Sequence, residues 1–455
     1  MTTIWAKQAL TSSGWQNDVA VTLDTSGRIA NVIADSPAIG QQVEILLPAP
    51  ANAHSHAFQR AMAGLTEKRG PDARDSFWTW RQLMYRFLDH LGPDQVQAIA
   101  AYTQMEMLEA GYGCNVEFHY LHHRVDGLPY DNIAEMSDRI MAAASQSGIG
   151  LTLLPVHYQY GGCDKRELGA GQRRFGNDGA RYHALFDAAF KGLGALPADS
   201  VIGVAPHSLR AVAPEDLPNT IALAGTGPVH LHLVEQPAEV AEIQAAWGAR
   251  PVEWLLENAQ VNGQWCLIHC TQMLQHETLG LAATGAVAGL CPITESSLGD
   301  GIFDGVRWMD AGGKIAIGSD SNIRISLTEE LRTLDYSQRL RDHSRAALAS
   351  AEQSTGRRLF QAVAAGGAQA AGRGGAGAIK VGEWGDLCAL DGTHIDLLGL
   401  AGDQVLDAFI FASDDRRVRD VWSAGRHMVK AGRHVNRTAI AATYRKTILG
   451  LRGAL

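Results

Sequence analysis

Histidines stand at the ends of three short apolar runs, with spacing suited to metal binding. The runs end in Asn52-Ala-His54-Ser-His56, Val229-His230-Leu-His232-Leu-Val-Glu235 and Leu267-Ile-His269. Side chains two residues apart in a strand point to the same face, so His54 and His56 can converge on one cation. An isolated His-x-His pair is more often a surface or hydrogen-bonded pair, but here the pattern recurs at several run ends. The spacing therefore predicts a metal site.

Asp320 offers a fourth donor, because it ends the run Ile317-Gly-Ser-Asp320. We predict that the ion is held by His54, His56, His232 and Asp320. Three neutral nitrogens and one carboxylate suit Zn²⁺ and leave room for a water molecule, although Fe²⁺ or another divalent ion has similar preferences. A further run ends in Ala205-Pro-His207 without the lysine that bridges two metals, which favours one ion over two. His230 is interpreted as a core or supporting residue.

Such a site predicts hydrolysis. A bound divalent ion lowers the pKa of its water toward ~7, and the resulting hydroxide can attack an electron-poor carbon. We expect Asp320 to take the proton of the water, Glu235 to carry it to a departing nitrogen, and His269 to polarise or orient the attacked group. Whether His269 or Asp320 takes the first proton stays open. The alternative for Glu235 is an exposed carboxylate at a helix start, but its offset of three residues from His232 favours catalysis.

The elements that must position these groups are eight apolar runs, each separated by a stretch long enough for a helix. They are Leu46 to His54, Tyr112 to Phe118, Gly150 to Val156, Val201 to Pro206, Val229 to Leu233, Trp265 to His269, Ala286 to Cys291 and Lys314 to Asp320. Continuous apolar runs are typical of parallel strands buried on both faces. The pattern predicts an α/β fold with a (β/α)₈ barrel, whose active groups lie at the carboxyl ends of the strands. Helices are predicted from Pro93 to Ala110 and from Pro251 to Asn258.

The two ends of the chain predict a second, smaller domain. Residues 20–33 have a hairpin pattern, and residues 386–433 contain further strand-like runs. We predict that residues 1–47 and 376–455 form one small β-sandwich beside a barrel of residues 48–375. The glycine-rich stretch 372–377 follows a predicted helix and precedes a strand, the reverse of a phosphate-binding loop, so it is interpreted as a linker.

Composition excludes several classes of protein. The 455 residues are 46% hydrophobic and 19% charged, which argues against a disordered scaffold. The net charge of -9 and the absence of a basic run predict no nucleic-acid partner. No apolar segment approaches the ~18–20 residues that span a bilayer and no signal pattern is recognised, so no membrane partner and a cytoplasmic location are predicted. Six cysteines without a Cys-x-x-Cys pair are expected to be reduced, mostly buried thiols.

Five stretches carry a narrower signal than the metal pattern. They are His54-Ser-His-Ala-Phe-Gln-Arg-Ala-Met-Ala-Gly64, Asp75-Ser-Phe-Trp-Thr-Trp-Arg81, Glu117-Phe-His-Tyr120, His207-Ser-Leu-Arg210 and Leu298-Gly-Asp-Gly-Ile-Phe303. The metal pattern resembles the mononuclear deaminase branch of the amidohydrolase superfamily. Within it, the five stretches resemble the N-formimino-L-glutamate deiminases over nearly the whole chain.

The resemblance implies an enzyme of histidine degradation that converts a formimino group to a formyl group, releases ammonia and acts as a zinc-containing homodimer. It also implies substrate contacts from Gln59, Arg81, Tyr120, His207 and Arg210. A glutamate-derived substrate carries two carboxylates, and the forked guanidinium groups of Arg81 and Arg210 suit them. An ordinary surface salt bridge is the alternative for each arginine.

Two local features add expectations. The aromatic residues Phe77, Trp78 and Trp80 lie in the long connection after the first strand, where they can form a lid over the site or pack against a neighbouring subunit. The segment Pro48–Ala53 departs from relatives, which commonly have a glycine soon after the proline. Pro50 predicts a distorted start of the first barrel strand, with metal binding retained.

Two other functions fit the same residues. A deaminase of a purine or another heterocycle uses the same metal chemistry but needs stacking groups and amide-type readers of a base edge. A catalytically silent relative that acts as a metal-dependent assembly protein needs neither Glu235 nor His269 for turnover.

Overall fold

The computed structural model describes residues 1–67 and 77–454, and it begins with four strands. They are β1 (Thr2–Thr11), β2 (Gly14–Leu23), β3 (Ile29–Ile33) and β4 (Gln41–Pro48). β2 pairs antiparallel with both β1 and β3, which confirms the predicted hairpin. Gly14 begins β2 with a φ of +99°, a conformation that favours glycine and permits the tight turn after β1.

The barrel strands follow, and each predicted apolar run contains one. They are β5 (Ala51–Ser55), β6 (Cys114–His119), β7 (Gly150–His157), β8 (Val201–Ile202), β9 (Ala205–Pro206), β10 (Val229–Leu233), β11 (Trp265–His269), β12 (Val287–Leu290) and β13 (Lys314–Ile317). β8 and β9 both pair with β7 and together occupy one strand position. All pairs within the barrel are parallel.

Hydrogen bonds close these strands into a ring. The sheets β5-β6-β7-β8 and β10-β11-β12-β13 are joined on one side by the parallel bridges Val204–Val229 and Ser208–His232. On the other side, Ser55 bridges Asp320 in parallel. The carboxyl ends of eight strand positions therefore surround one opening, as a parallel α/β barrel requires.

Helices separate the barrel strands. They are α1 (Phe77–Leu88), α2 (Pro93–Glu109), α3 (Glu135–Ser147), α4 (Gly179–Leu193), α5 (Leu217–Ala222), α6 (Pro237–Trp247), α7 (Pro251–Asn258), α8 (Gln275–Ala282), α9 (Pro292–Leu298), α10 (Gly305–Asp310), α11 (Leu327–Asp342) and α12 (Thr355–Ala370). The predicted helices beginning at Pro93 and Pro251 are confirmed, each with proline in its first turn. None of the helices in the described ranges is both long and apolar enough to cross a membrane.

The chain ends with four strands and two helices. They are β14 (Leu387–Leu390), α13 (Asp403–Asp407), β15 (Val418–Ser423), β16 (Arg426–Lys430), β17 (Arg433–His434) and α14 (Arg437–Ala454). Strands of both ends form one eight-stranded sheet in the order β17-β16-β15-β14-β4-β1-β2-β3. Ile4, Val21, Leu387 and Trp422 pack in one apolar cluster of this sheet. The second layer of a sandwich and the domain boundaries stay predictions.

Three predicted strands differ from the observed ones. The run Leu46–His54 is divided between β4 and β5. β4 pairs with β1 and β14 and ends at Pro48, and Pro50, which has no N–H group to donate, lies between the two strands. The run Val201–Pro206 is interrupted at Gly203 and Val204. The eighth strand ends at Ile317, short of Asp320, whose φ of +46° turns the chain away from strand geometry.

A buried ion-pair network connects the barrel with the terminal sheet. The Arg373 guanidinium lies 2.9 Å from an Asp199 oxygen and 2.8 Å from an Asp386 oxygen. Arg426 adds a second pair to Asp199 at 2.7 Å. Arg373 lies within the glycine-rich stretch 372–377, which forms turns between α12 and the terminal sheet, as expected of a linker. The six cysteines are buried and unbridged, as predicted.

Candidate active site

The predicted metal donors meet at the carboxyl end of the barrel. The ligand atoms of His54, His56 and His232 all lie within 4.8 Å of one another. Asp320 Oδ1 lies 3.5 Å from His54 Nε2 and 3.3 Å from His56 Nε2. β5 supplies His54 and, just past its end, His56; β10 supplies His232, and the turn after β13 supplies Asp320. These four side chains could hold one metal ion.

Backbone contacts fix two of the imidazoles in a ligand-competent form. His56 Nδ1 lies 2.9 Å from the Phe118 carbonyl, and His232 Nδ1 lies 3.0 Å from the His207 carbonyl. Because a carbonyl oxygen only accepts, Nδ1 carries the proton in each ring and Nε2 keeps its lone pair. Both ring nitrogens of buried His54 lack a hydrogen-bond partner among the described residues. An unsatisfied buried imidazole is costly, so this ring suits a metal ligand.

Burial also sets the protonation of these rings. It lowers the pKa of His54 to about 3 and lowers the pKa of His56 and His232 below the ordinary value. Desolvation disfavours the charged imidazolium, so all three are neutral at pH 7. Neutral imidazole is the form that binds a metal ion.

His269 and Glu235 face each other beside this cluster. His269 Nε2 lies 3.6 Å from Glu235 Oε1 and 3.9 Å from Asp320 Oδ2. Burial alone would lower the pKa of His269, but the carboxylates of Glu235, Glu295 and Asp320 raise it to about 10. Burial raises the pKa of Glu235. The pair can therefore hold and exchange protons next to the predicted ion.

Glu239 holds the backbone that presents Glu235. The carboxylate of Glu239 accepts hydrogen bonds from the N–H groups of Val234 at 3.3 Å and Glu235 at 3.1 Å. Val234 has a φ of +48°, a strained conformation for a β-branched residue. Glu235 is only 5% exposed, so the alternative of an exposed carboxylate at a helix start is wrong.

One cavity joins this cluster to the residues expected to bind substrate. It is lined by His56, Gln59, Trp80, Arg81, Met84, Tyr120, Tyr158, Phe175, His207, Arg210, His232, Glu235, His269, Thr294, Leu298, Asp320 and Ser321. Gln59 Nε2 donates to the Tyr120 hydroxyl at 2.7 Å. Arg210 is only 7% exposed, with Nη2 3.9 Å from Glu239 Oε2. The alternative of a surface salt bridge is therefore wrong for Arg210.

Arg81 reaches the cavity from α1. Its Nη2 donates to the Tyr158 hydroxyl at 2.7 Å, and the same hydroxyl accepts from Gln172 Nε2 at 2.8 Å. Trp80 also lines the cavity. Residues 75 and 76 and the side chains of Phe77 and Trp78 lie outside the described part of the chain, so the choice between a lid and a subunit contact stays open.

Three site residues escaped the sequence analysis. Tyr158 directly follows β7, so it obeys the same strand-end pattern as the histidines. Glu239 and Glu295 act on Glu235 and His269 from helices, and no local pattern marks them. His230 Nε2, in contrast, lies 2.7 Å from the Ala370 carbonyl, in agreement with a core role.

This fold and this cluster define a hydrolase of the amidohydrolase type, and comparison with known proteins agrees. Residues 45–428 match the model of the "Amidohydrolase family", so the chain belongs to this family. Residues 1–42 match the model described as "Formimidoylglutamate deiminase HutF, N-terminal domain". The predicted membership is thereby confirmed.

Among curated relatives, the formimidoylglutamate deiminase of Pseudomonas aeruginosa is 45% identical over 448 residues, covering 98% of both chains. A 5-methylthioadenosine/S-adenosylhomocysteine deaminase of Bacillus cereus is 23% identical and covers 90% of this chain and 86% of its own length. Among solved structures, an amidohydrolase from Brucella melitensis superposes with a TM-score of 0.95 at 45% identity, covering 99% of this chain and 100% of its own. A zinc-bound adenosine deaminase from Xanthomonas campestris has a TM-score of 0.83 at 23% identity, covering 99% of this chain and 98% of its own, which shows the shared fold.

Proposed function

We propose that the protein hydrolyses N-formimino-L-glutamate to N-formyl-L-glutamate and ammonia, as a step of histidine degradation. The observation that carries this proposal is a single cavity that is lined both by Arg81 and Arg210 and by the His–Asp–Glu cluster. Two guanidinium groups suit a substrate with two carboxylates. The relative from Pseudomonas aeruginosa, named a formimidoylglutamate deiminase, supports the same assignment.

One divalent metal ion, Zn²⁺, is proposed to be held by His54, His56, His232 and Asp320. The fit rests on neutral imidazoles, a nearby carboxylate and the buried ring nitrogens of His54, which have no hydrogen-bond partner in the described part of the chain. Such a set matches the nitrogen and oxygen preferences of Zn²⁺. When bound, the ion supplies a water of lowered pKa, toward ~7, as the nucleophile.

Proton transfer and orientation of the attacked group are assigned to Glu235, His269 and Asp320. The water oxygen forms a bond to the amidine carbon, and the bond from that carbon to the terminal nitrogen breaks. Asp320 takes the first proton from the attacking water, Glu235 carries both protons of that water in turn to the departing nitrogen, which leaves as ammonia, and His269 orients the attacked group. The products are N-formyl-L-glutamate, whose formyl oxygen comes from the water, and one ammonia. The raised pKa of Glu235, caused by burial, favours a carboxyl that can carry this proton.

Substrate binding is assigned to other residues that line the same cavity. Arg81 and Arg210 each take one carboxylate, because the planar guanidinium group matches it with two parallel hydrogen bonds. Gln59, Tyr120 and His207 complete the polar contacts, and the Gln59–Tyr120 hydrogen bond of 2.7 Å orients the first two. Burial of these groups strengthens their interaction with a charged substrate.

Ammonia release from N-formimino-L-glutamate tests the function. The zinc-loaded enzyme is expected to release ammonia from this substrate and not from guanine or 5-methylthioadenosine at equal enzyme concentration. Activity on the heterocycles alone would overturn the proposal in favour of a purine-type deaminase. A silent assembly protein would turn over neither, and in such a protein Glu235→Ala changes nothing.

Arg210→Lys tests the substrate side. The change keeps the charge but loses the forked geometry, so KM is expected to rise about tenfold while kcat changes less. Arg345→Lys, which changes an arginine outside the cavity, serves as the matched control. An unchanged KM in Arg210→Lys removes Arg210 from substrate binding. The homodimer and the cytoplasmic location stay predictions, which gel filtration and cell fractionation would test.

A further inference from the structure

Glu295 contacts His269 through the ring nitrogen that is not directed at Glu235. Oε1 of Glu295 lies 3.3 Å from His269 Nδ1. The other nitrogen, Nε2, lies 3.6 Å from Glu235 Oε1 and 3.9 Å from Asp320 Oδ2. Glu295 is 5% exposed and does not line the cavity. The imidazole is therefore contacted by three carboxylates, that of Glu295 at Nδ1 and those of Glu235 and Asp320 at Nε2.

The backbone of α9 holds the oxygen of Glu295 in place. Cys291 N–H donates to Glu295 Oε1 at 2.8 Å, and Glu295 N–H donates to the Cys291 carbonyl at 2.8 Å. The side chain thus curls back onto the first turn of its own helix, where a carboxylate is favoured. Because the contact to Cys291 uses the backbone, the position of Oε1 does not depend on a mobile partner.

The chain around His269 needs such a support. His269 and Cys270 have φ values of +72° and +54°, a left-handed conformation that non-glycine residues rarely adopt. β11 ends at His269, and beyond it the backbone is held by hydrogen bonds from Cys270 N–H to the Leu233 carbonyl at 3.1 Å and from Gln272 N–H to the Val234 carbonyl at 3.0 Å, so that the ring itself is oriented by its side-chain contacts. A carboxylate behind an imidazole selects the tautomer with hydrogen on Nδ1 and fixes the plane of the ring.

We propose that Glu295 is a positioning residue for the reaction: its Oε1 holds the Nδ1–H group of His269 and keeps Nε2 directed at the substrate. The proposal rests on the deiminase function above. His269, Cys291 and Glu295 also lie close enough to hold a metal ion, with their ligand atoms within 4.8 Å of one another. The experiments below distinguish a positioning role of Glu295 from the binding of a second metal ion by these three residues.

Two substitutions at Glu295 separate positioning from other roles. In Glu295→Gln, the side-chain oxygen can still accept from Cys291 N–H and His269 Nδ1–H, so kcat is expected to stay within about tenfold of the wild type. In Glu295→Ala both contacts are lost, and kcat is expected to fall about 100- to 1,000-fold with KM nearly unchanged. Zinc content should stay at one ion per chain in both variants.

A double-substitution cycle identifies His269 as the group through which Glu295 acts. In the His269→Asn background, adding Glu295→Ala is expected to cost no further kcat. Glu330→Ala is the matched control, because the buried Glu330 carboxylate also accepts from the first turn of α9, at Ile293 N–H and 2.8 Å. It should lower the thermal midpoint and keep kcat. If His269→Asn has no measurable turnover, the difference in kcat between Glu295→Ala and Glu295→Gln tests the proposal instead.

Several outcomes overturn the proposal. Glu295 is not a positioning residue if Glu295→Ala raises KM and keeps a normal kcat, or if Glu295→Ala and Glu295→Gln lower kcat equally. The same holds if the losses of kcat in the double variant are additive. A second metal site is indicated instead if the wild type holds two ions per chain and Glu295→Ala removes one of them. Failure of the deiminase function is distinguishable, since the wild type would then not act on N-formimino-L-glutamate at all. The same variants would in that case be measured with whichever aminated substrate the wild type hydrolyses.

Discussion

The backbone N–H group of Asp320 donates a hydrogen bond to the His54 carbonyl at 2.9 Å, which joins the last barrel strand to the first. His56 N–H returns a hydrogen bond to the Asp320 carbonyl at 2.9 Å. The same contacts that close the barrel therefore place the Asp320 carboxylate beside the imidazoles of His54 and His56. The backbone hydrogen bonds of the barrel thus bring three of the proposed metal donors, His54, His56 and Asp320, together.

A side-chain network supports this closure, and Asn322 is its centre. Its Nδ2 donates to the carbonyls of His56 at 3.1 Å and Asp320 at 3.0 Å, and its Oδ1 accepts from Ser319 at 2.6 Å. We expect Asn322→Ala to weaken zinc binding about 10- to 100-fold, measured by competition with a chelator, because supporting contacts orient metal ligands. The control substitution Asn31→Ala, at an exposed residue, should leave zinc affinity unchanged. Equal zinc affinity in both variants would show that the backbone contacts alone are enough to orient the metal ligands.

Removal of the metal should abolish activity but not the fold. Dialysis against a strong chelator is expected to eliminate ammonia release and to leave the far-ultraviolet circular dichroism unchanged, since the contacts between Asp320 and His54 are made by backbone atoms. One equivalent of Zn²⁺ per chain should restore activity. Unfolding on chelation would mean that the ion, rather than the barrel, organises the site.

Tyr158 is expected to determine substrate affinity through Arg81. Tyr158→Phe removes the acceptor that lies 2.7 Å from Arg81 Nη2, so KM for N-formimino-L-glutamate should rise about 5- to 30-fold, with kcat little changed. Tyr160→Phe is the control, because Tyr160 does not line the cavity.

Substrate analogues sharpen this test. One analogue lacks the side-chain carboxylate and the other lacks the α-carboxylate, and Arg81 is assigned to one of the two. With the analogue that lacks the carboxylate bound by Arg81, wild type and Tyr158→Phe should have equal KM values. A KM difference of equal size for both analogues would mean that Tyr158 acts on the cavity as a whole and not on Arg81.

The barrel and the meeting of His54, His56, His232 and Asp320 at its carboxyl end were predictable because their signals are local. Burial on both faces leaves a continuous apolar run such as Val229–Leu233, and the polar residue after such a run marks the active end. The division at Pro48 was not predictable in the same way, since it depends on pairing of β4 with β1 and β14, which come from distant parts of the chain. Glu295 was missed for a similar reason. Its role follows from the packing of α9 beside the end of β11, which no short-range pattern encodes.

Glu117 should make the stability of the protein depend on pH. Its carboxyl accepts from Ala57 N–H at 2.7 Å, yet burial raises its pKa from 4.5 to about 7. Between these values the folded protein keeps a proton that the unfolded chain releases, so the free energy of unfolding falls as pH rises. The contribution is fully present below pH 4.5 and is lost as pH rises through about 7. It amounts to about 3 kcal/mol at most.

Glu117→Gln removes this titration. Relative to the wild type, the variant should gain stability between about pH 5 and about pH 7.5, as measured by urea denaturation of the metal-free protein. Glu44→Gln, which changes a half-exposed carboxylate, should run parallel to the wild type over the same range. Parallel curves for Glu117→Gln would show that Glu117 is ionised throughout and that the hydrogen bonds it accepts from Ala57, Asn115 and Ser55 outweigh the effect of burial.

Arg373 should be the strongest single contributor to the contact between barrel and terminal sheet. It is almost fully buried and neutralises Asp199 and Asp386 at 2.9 Å and 2.8 Å. Arg373→Met fills most of the same volume but leaves Asp386 without its cation, and Asp199 keeps only Arg426. We expect a loss of about 3–5 kcal/mol in the free energy of unfolding, because a buried charge without its partner is strongly destabilising. Arg416→Met, at a side chain 82% exposed, should leave the unfolding midpoint unchanged. If Arg373→Met is as stable as this control, the network does not hold the two parts together. Their association then rests on the apolar core that they share, in which Ile45, Leu47 and Cys388 of the terminal sheet pack with residues of the barrel.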